Sequence, residues 1–111
     1  GKIIATGIRF DTGKSSLKPE SMGVINEIYE LMDKNPELKF SVEGHTDNVG
    51  DDASNLALSA DRAETVMLTL IDMGITAERL SSLGLGESMP MDDNNYPEGR
   101  ANNRRVEFVK F

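Results

Sequence analysis

Leu38, Phe40 and Val42 alternate with Lys39, Ser41 and Glu43, and a period of two predicts a strand buried on one face that ends at Gly44. On either side the period changes. Val24, Ile25, Ile28, Leu31 and Met32 recur at helical spacing, with Pro19 suited to the first turn, where its missing N–H costs nothing, and Asn35-Pro36 as the stop. A second helical pattern runs from Ala53 to Met73 and meets Gly74, the residue type that suits a helix C-terminus. Residues 2–10 predict a strand with Ile4, Ile8 and Phe10 on one face, and Leu80–Leu85 and Arg105–Phe111 predict two more. The intervening segment ESMPMDDNNYPEGRANN, rich in Asn, Asp, Pro and Gly, predicts an ordered surface loop without a regular element.

The resulting order, β-α-β-α-β-β, implies an α/β (α+β) sandwich with helices packed on one sheet face and right-handed crossovers between parallel strands. At 111 residues the chain is long enough for one domain, 1–111, and too short for two. Taking the second helix at about 100° per residue, Leu56, Ala60, Ala63, Met67, Leu70 and Ile71 form the expected core stripe. Asp61, Glu64, Thr65 and Asp72 fall on a solvated acidic face. Asn55, Ser59 and Arg62 make a third line at the edge of the packed face, with Leu58 beside it.

Composition narrows the choice of partners. The formal net charge is −7 with lysines and arginines scattered, so no basic stripe faces a nucleic acid or an anionic lipid. An acidic ligand would need a local cation, since the overall field is screened beyond about 8 Å at physiological salt. The absence of cysteine excludes disulfides, thiolate metal sites and cysteine nucleophiles. The opening GKIIATGIRF carries neither a signal-peptide pattern nor a membrane-length apolar run. The chain is therefore expected to be a folded segment of something longer.

The chemistry concentrates in GHTDNVGDDASNLALSADRAETV, residues 44–66, which holds the only histidine. A metal reading of His45 with Asp47, Asp51 and Asp52 fits poorly: against the calcium-loop pattern started at Asp47, glycine falls at the fourth position and Leu58 replaces the closing Glu. Zinc would want more nitrogen or sulfur donors. A catalytic reading of His45 finds no serine in a nucleophile elbow and no second histidine. His45 is then expected to hydrogen-bond its own loop, leaving Asp47 facing outwards, with Asp51 and Asp52 introducing the helix. For Arg62, pairing with a neighbouring Asp is the simpler reading from spacing alone. The alternative joins Asp47 and Arg62 in a site for a zwitterion, one charge for each end of an amino acid.

The segments FDTGKSSLKPE, VEGHTDNVG, NLALSADRAETV, GLGESMP and EGRANNRRVEF resemble, in order and along essentially the whole chain, OmpA-like domains, the peptidoglycan-anchoring modules shared by OmpA, Pal and MotB type proteins. The resemblance implies a mixed four-stranded sheet with helices packed on one face, in a non-enzymatic domain without cofactor or bound metal. Its implied partner is peptidoglycan, gripped at the meso-diaminopimelate of the stem peptide, with Asp47 at the ammonium and Arg62 at the carboxylate. Phe10 and Asp11 would line the pocket, Thr46 shape the loop, Asn55 and Leu58 flank the arginine, and Arg104 add a cation at the edge. The implied location is the periplasmic face of a Gram-negative envelope, with the outer membrane reached only through a segment outside this chain. An interaction module for other envelope proteins, using the acidic helix face or residues 87–103, is the alternative role; a metal-dependent peptidoglycan hydrolase is the more distant one.

Overall fold

The computed structural model describes all residues, Gly1–Phe111. Its elements are β1 (Lys2–Ala5), α1 (Ser21–Lys34), β2 (Phe40–His45), α2 (Asp52–Met73), a 3-10 turn (Ala77–Arg79), β3 (Leu80–Gly86), α3 (Pro97–Asn103) and β4 (Arg105–Lys110). The four strands form one sheet in the order β1-β4-β2-β3. β2 and β3 are parallel, and β4 runs antiparallel to both β1 and β2. This is the expected mixed sheet, with α1 and α2 on one face.

The core lies between that face and the helices. Phe40, Val42, Val106 and Phe108 point into it from β2 and β4, meeting Ile25, Ile28 and Met32 of α1 and Ala63, Val66 and Leu70 of α2. Phe40 and Phe108 meet edge to face with ring centroids 6.0 Å apart, a favoured aromatic geometry. Arg79, from the turn before β3, donates to the carbonyls of Met32, Asn35 and Leu38, so a distant guanidinium satisfies the end of α1.

Four expectations need correction. The first strand stops at Ala5: Ile4 points to the open side at 44% exposed while Ile8 is buried, so the turn at Thr6–Gly7 breaks the single face. Phe10 instead forms an isolated bridge with Leu17. Pro19 lies just outside α1, its carbonyl accepting from Met22 N–H. Residues 87–103 are not wholly loop, because Pro97 opens the short helix α3, a position where its fixed φ helps.

The core face of α2 is also turned from the predicted stripe. Ser59, Ala63, Val66 and Leu70 are the buried positions, whereas Leu56 is 50% exposed and Ala60 is exposed. The cause is the sheet edge. Leu56 and Ala60 lie over Gly86 and Gly84 of the edge strand β3, with solvent beyond, while Ser59 sits on Gly44 of the interior strand. A Cβ on Gly44 would run into the Ser59 carbonyl and one on Gly84 into the Ala60 backbone. Helix and sheet therefore touch backbone to backbone, which positions the N-terminal half of α2 beside the end of β2. Gly84→Ala is expected to destabilise the domain by about 1 to 3 kcal/mol, the usual cost of overpacking, seen as a lower urea midpoint at unchanged m-value.

Candidate ligand-binding cleft

β2 and β3 lose register between Gly44 and His45, where His45 pairs with Gly86 instead of Leu85. Leu85 is thus the extra residue of a bulge on β3, and the pairing continues past it as Thr46 N–H donates to Gly86 C=O at 2.8 Å. Thr46 Oγ1 donates to the Asp47 carbonyl at 2.8 Å. The loop is closed from the helix side: Asn55 Nδ2 donates to the Val49 carbonyl at 3.0 Å. Asp51 caps α2, its carboxylate accepting from Ser54 N–H at 2.9 Å, as an N-cap residue should.

Asp47 does not face outwards. It is 8% exposed; Oδ1 accepts from Val49 N–H at 3.0 Å and Oδ2 from Arg104 Nη1 at 2.6 Å. The sequence placed Arg104 only at the edge of a pocket, yet it is the direct partner of the aspartate, reached across 57 positions of chain. Asp47 thus already holds one cation.

Arg62 has no such partner. Its Nε donates to the Lys14 carbonyl at 2.8 Å and its Nη2 to the Asp11 carbonyl at 3.4 Å, and its guanidinium lies 4.9 Å from the Phe10 ring centroid, within cation–π range. None of the ion pairs in the structure includes it. The simpler expectation of an Arg62–Asp pair is therefore overturned. Burial and the nearby Arg104 charge lower the Arg62 pKa, with Asp47 opposing. The guanidinium stays charged all the same, held over an aromatic face by two carbonyls and lacking an anion.

These groups line one cleft of about 530 Å3. Phe10, Thr46, Asp47, Asn55, Leu58, Arg62 and Arg104 all border it. Asp11 contributes differently from the rest, through its carbonyl on Arg62, while its carboxylate accepts from Ser16 Oγ at 2.6 Å. Among the lining residues that sequence reasoning missed are the cations Arg9, Lys18 and Arg105, and Thr12, Gly13, Val49 and Ser59. Only Ser59 carried a signal, its place on the Asn55–Arg62 line, and it is buried: its Oγ accepts from Gly86 N–H at 2.9 Å and donates to the Leu56 carbonyl. The arrangement offers a fixed cation and a fixed anion across a cleft with an aromatic and an aliphatic wall. That is the chemistry of zwitterion binding.

His45 also departs from expectation. It is 5% exposed, and neither ring nitrogen has a hydrogen-bond partner, so Asn55 organises the loop in its place. Burial, then Arg105, lowers its pKa to about 4, with Glu107 opposing. At neutral pH the imidazole is uncharged.

Residues 9–104 match the OmpA family, and the chain belongs to it. It is 42% identical over 100 residues to outer membrane porin F of Pseudomonas fluorescens, covering 90% of this chain and 31% of that protein. It is 36% identical over 102 residues to the peptidoglycan-binding protein ArfA of Mycobacterium bovis, covering 92% of this chain and 31% of that one. The chain thus spans about a third of the length of these relatives. Among solved structures, the peptidoglycan-associated lipoprotein of Burkholderia pseudomallei superposes with a TM-score of 0.84 at 25% identity, covering 94% of this chain and 88% of that one. Members of this family are binding modules and not enzymes.

Proposed function

We propose that the domain is a non-catalytic anchor that binds peptidoglycan at the meso-diaminopimelate of the stem peptide and ties its parent protein to the cell wall. In this reading Arg62 takes the side-chain carboxylate of diaminopimelate and Asp47 its ammonium, with Phe10 and Leu58 packing the aliphatic stem between them. Arg104 yields part of Asp47 to the incoming ammonium. The observation that carries the reading is Arg62, a half-buried arginine bordering a cleft with two carbonyls and a ring around it and no anion. Support comes also from ArfA, named for binding peptidoglycan, and from porin F and the peptidoglycan-associated lipoprotein, both named as envelope proteins. The location that follows is the periplasmic side of the envelope, with any outer-membrane tether supplied by the remainder of the parent protein.

Co-sedimentation with purified sacculi tests this. The domain should pellet with diaminopimelate-type sacculi and be released by free meso-diaminopimelate. It should bind lysine-type sacculi at least about tenfold more weakly, because the missing carboxylate leaves Arg62 unpaired at a cost of about 1.5 to 3 kcal/mol. Equal pelleting with both wall types would overturn the diaminopimelate assignment, and no pelleting with either would overturn wall binding itself.

A further inference from the structure

The sheet face turned away from α1 and α2 carries a second cavity, of about 360 Å3, bordered by Glu43 and His45 of β2, Glu107 of β4, Lys2, and the Met89–Met91 segment. His45 stands out in it. Its side chain is 2% exposed, yet Nδ1 and Nε2 are both without a hydrogen-bond partner, and a buried polar group left unpaired is destabilising. Its surroundings are not those of a ring that merely fills space. One ligand atom from each of Glu43, His45 and Glu107 lies within 4.8 Å of the others, and no cation is paired with Glu43.

We infer that Glu43, His45 and Glu107 form a site for one divalent first-row transition ion, on the opposite side of the sheet from the helices. An imidazole with two carboxylates is poorer in nitrogen than a structural zinc site, as the sequence already indicated, but carboxylate oxygens also ligate zinc, and the set still suits zinc or copper(II), whereas calcium and magnesium favour all-oxygen shells. Ligands about 2.0 to 2.2 Å from such an ion stand roughly 3 to 3.6 Å from one another, so small rotations of the two glutamates close the set. Solvent in the cavity completes the coordination.

Two cations already touch Glu107, and they play different parts. Arg105 Nε donates to Oε2 at 2.7 Å with both side chains 4% exposed, so this pair is fixed. Lys2 Nζ reaches Oε1 at 3.1 Å from a side chain 52% exposed, and it can swing into solvent. His45 Nε2 stands 3.8 Å from Oε2, the oxygen Arg105 holds, so a turn of the Glu107 carboxylate presents Oε1 to the ion in place of Lys2 while Arg105 keeps Oε2, as an outer partner orients a ligating carboxylate. Lys2 is accordingly a competitor and Arg105 a positioning residue.

Because His45 is the only histidine, its imidazole nitrogens give one set of 15N signals, and a titration of the domain with zinc sulfate at pH 7.5 after chelator treatment reads the site directly. The expected result is a saturable shift of one ring nitrogen at one equivalent, unaffected by a calcium excess. Glu43→Gln should weaken binding at least tenfold and Lys2→Met strengthen it several-fold; neither side chain is fully buried, so both variants keep the core. Arg62→Ala should bind zinc unchanged, which separates this site from the wall-binding cleft. Imidazole signals unmoved at millimolar zinc, or midpoints identical in wild type, Glu43→Gln and Lys2→Met, would overturn the inference.

Discussion

Arg62→Ala is expected to lower affinity for diaminopimelate-type sacculi by roughly ten- to a hundredfold while the domain stays folded. The energy comes from one interaction. A charge-assisted contact to a carboxylate is worth about 1.5 to 3 kcal/mol, and the cleft holds no other unpaired cation fixed as Arg62 is, by the Lys14 and Asp11 carbonyls and the Phe10 ring. The stability cost should be about 1 kcal/mol, because those two hydrogen bonds anchor an exposed loop. Arg62→Lys should recover only part of the affinity, since an ammonium lacks the two-pronged geometry that matches a carboxylate. Asp47→Ala should also weaken binding, but it frees Arg104 and removes the bond to Val49 N–H, so the loop changes with it. Sedimentation isotherms beside thermal melts give the answer: a folded Arg62→Ala variant that binds like wild type would sink the assignment of the arginine.

Glu107→Ala is expected to cost about 3 to 5 kcal/mol of stability, the loss typical when one member of a buried ion pair is removed. Arg105 would remain, 6% exposed, with only the carbonyls of Met89 and Asn103 as acceptors. For a domain of this size each kcal/mol lowers Tm by about 4 °C or more, so calorimetry should show a drop of roughly 12 to 20 °C. Replacing Arg105 and Glu107 together by apolar residues of similar volume should recover most of it, because no orphaned charge is left. The pH dependence has a definite sign. Burial alone would raise the Glu107 pKa, but the hydrogen bonds from Arg105 and Lys2 and the surrounding positive charge outweigh it and hold the value below the usual 4.5. The stabilisation is therefore complete above the unfolded value and is lost as pH falls below about 4.5. A wild-type Tm that falls no more steeply than that of Glu107→Ala between about pH 5 and 3, the span around the unfolded glutamate value, would contradict this.

Much of the fold was legible because its strongest signals are local. The alternation in β2 and the helical spacing of α1 and α2 each fix an element from within a dozen or two residues, and Gly74 ends α2 where its N–H caps the Ile71 carbonyl. What stayed hidden depends on neighbours far along the chain. The order β1-β4-β2-β3 leaves β3 at an edge, and that alone exposes Leu56 and Ala60 and moves the core line onto Ser59. The short α3 was masked by Asn and Gly, whose composition reads as loop. Within the cleft, motif positions brought seven of the expected residues to one place, but the partner of each charge was unreadable. Asp47 is taken by Arg104, 57 positions away, and Arg62 by two carbonyls that any sequence would supply. His45 was read as a loop organiser because a polar ring next to a turn commonly is one; the alternation of β2, which runs unbroken against β4 through His45, instead puts it with Glu43 on the face turned away from the helices.

The strand registers have a mechanical consequence. Gly1 C=O accepts from Lys110 N–H, and Lys110 pairs with Phe40, so both chain ends lie at one end of the sheet; the cleft lies at the other, where His45 meets Arg105. A tether leaving either end, with the wall held in the cleft, would load the domain along its strands. Ladder hydrogen bonds run perpendicular to that direction, so the four residue pairs of β1 with β4 would be sheared together instead of unzipped singly. A pull on the C-terminus would meet more resistance still, since β4 is flanked on both sides. The topology that sets the recognition groups also makes the domain stiffest along the axis on which an anchor is pulled.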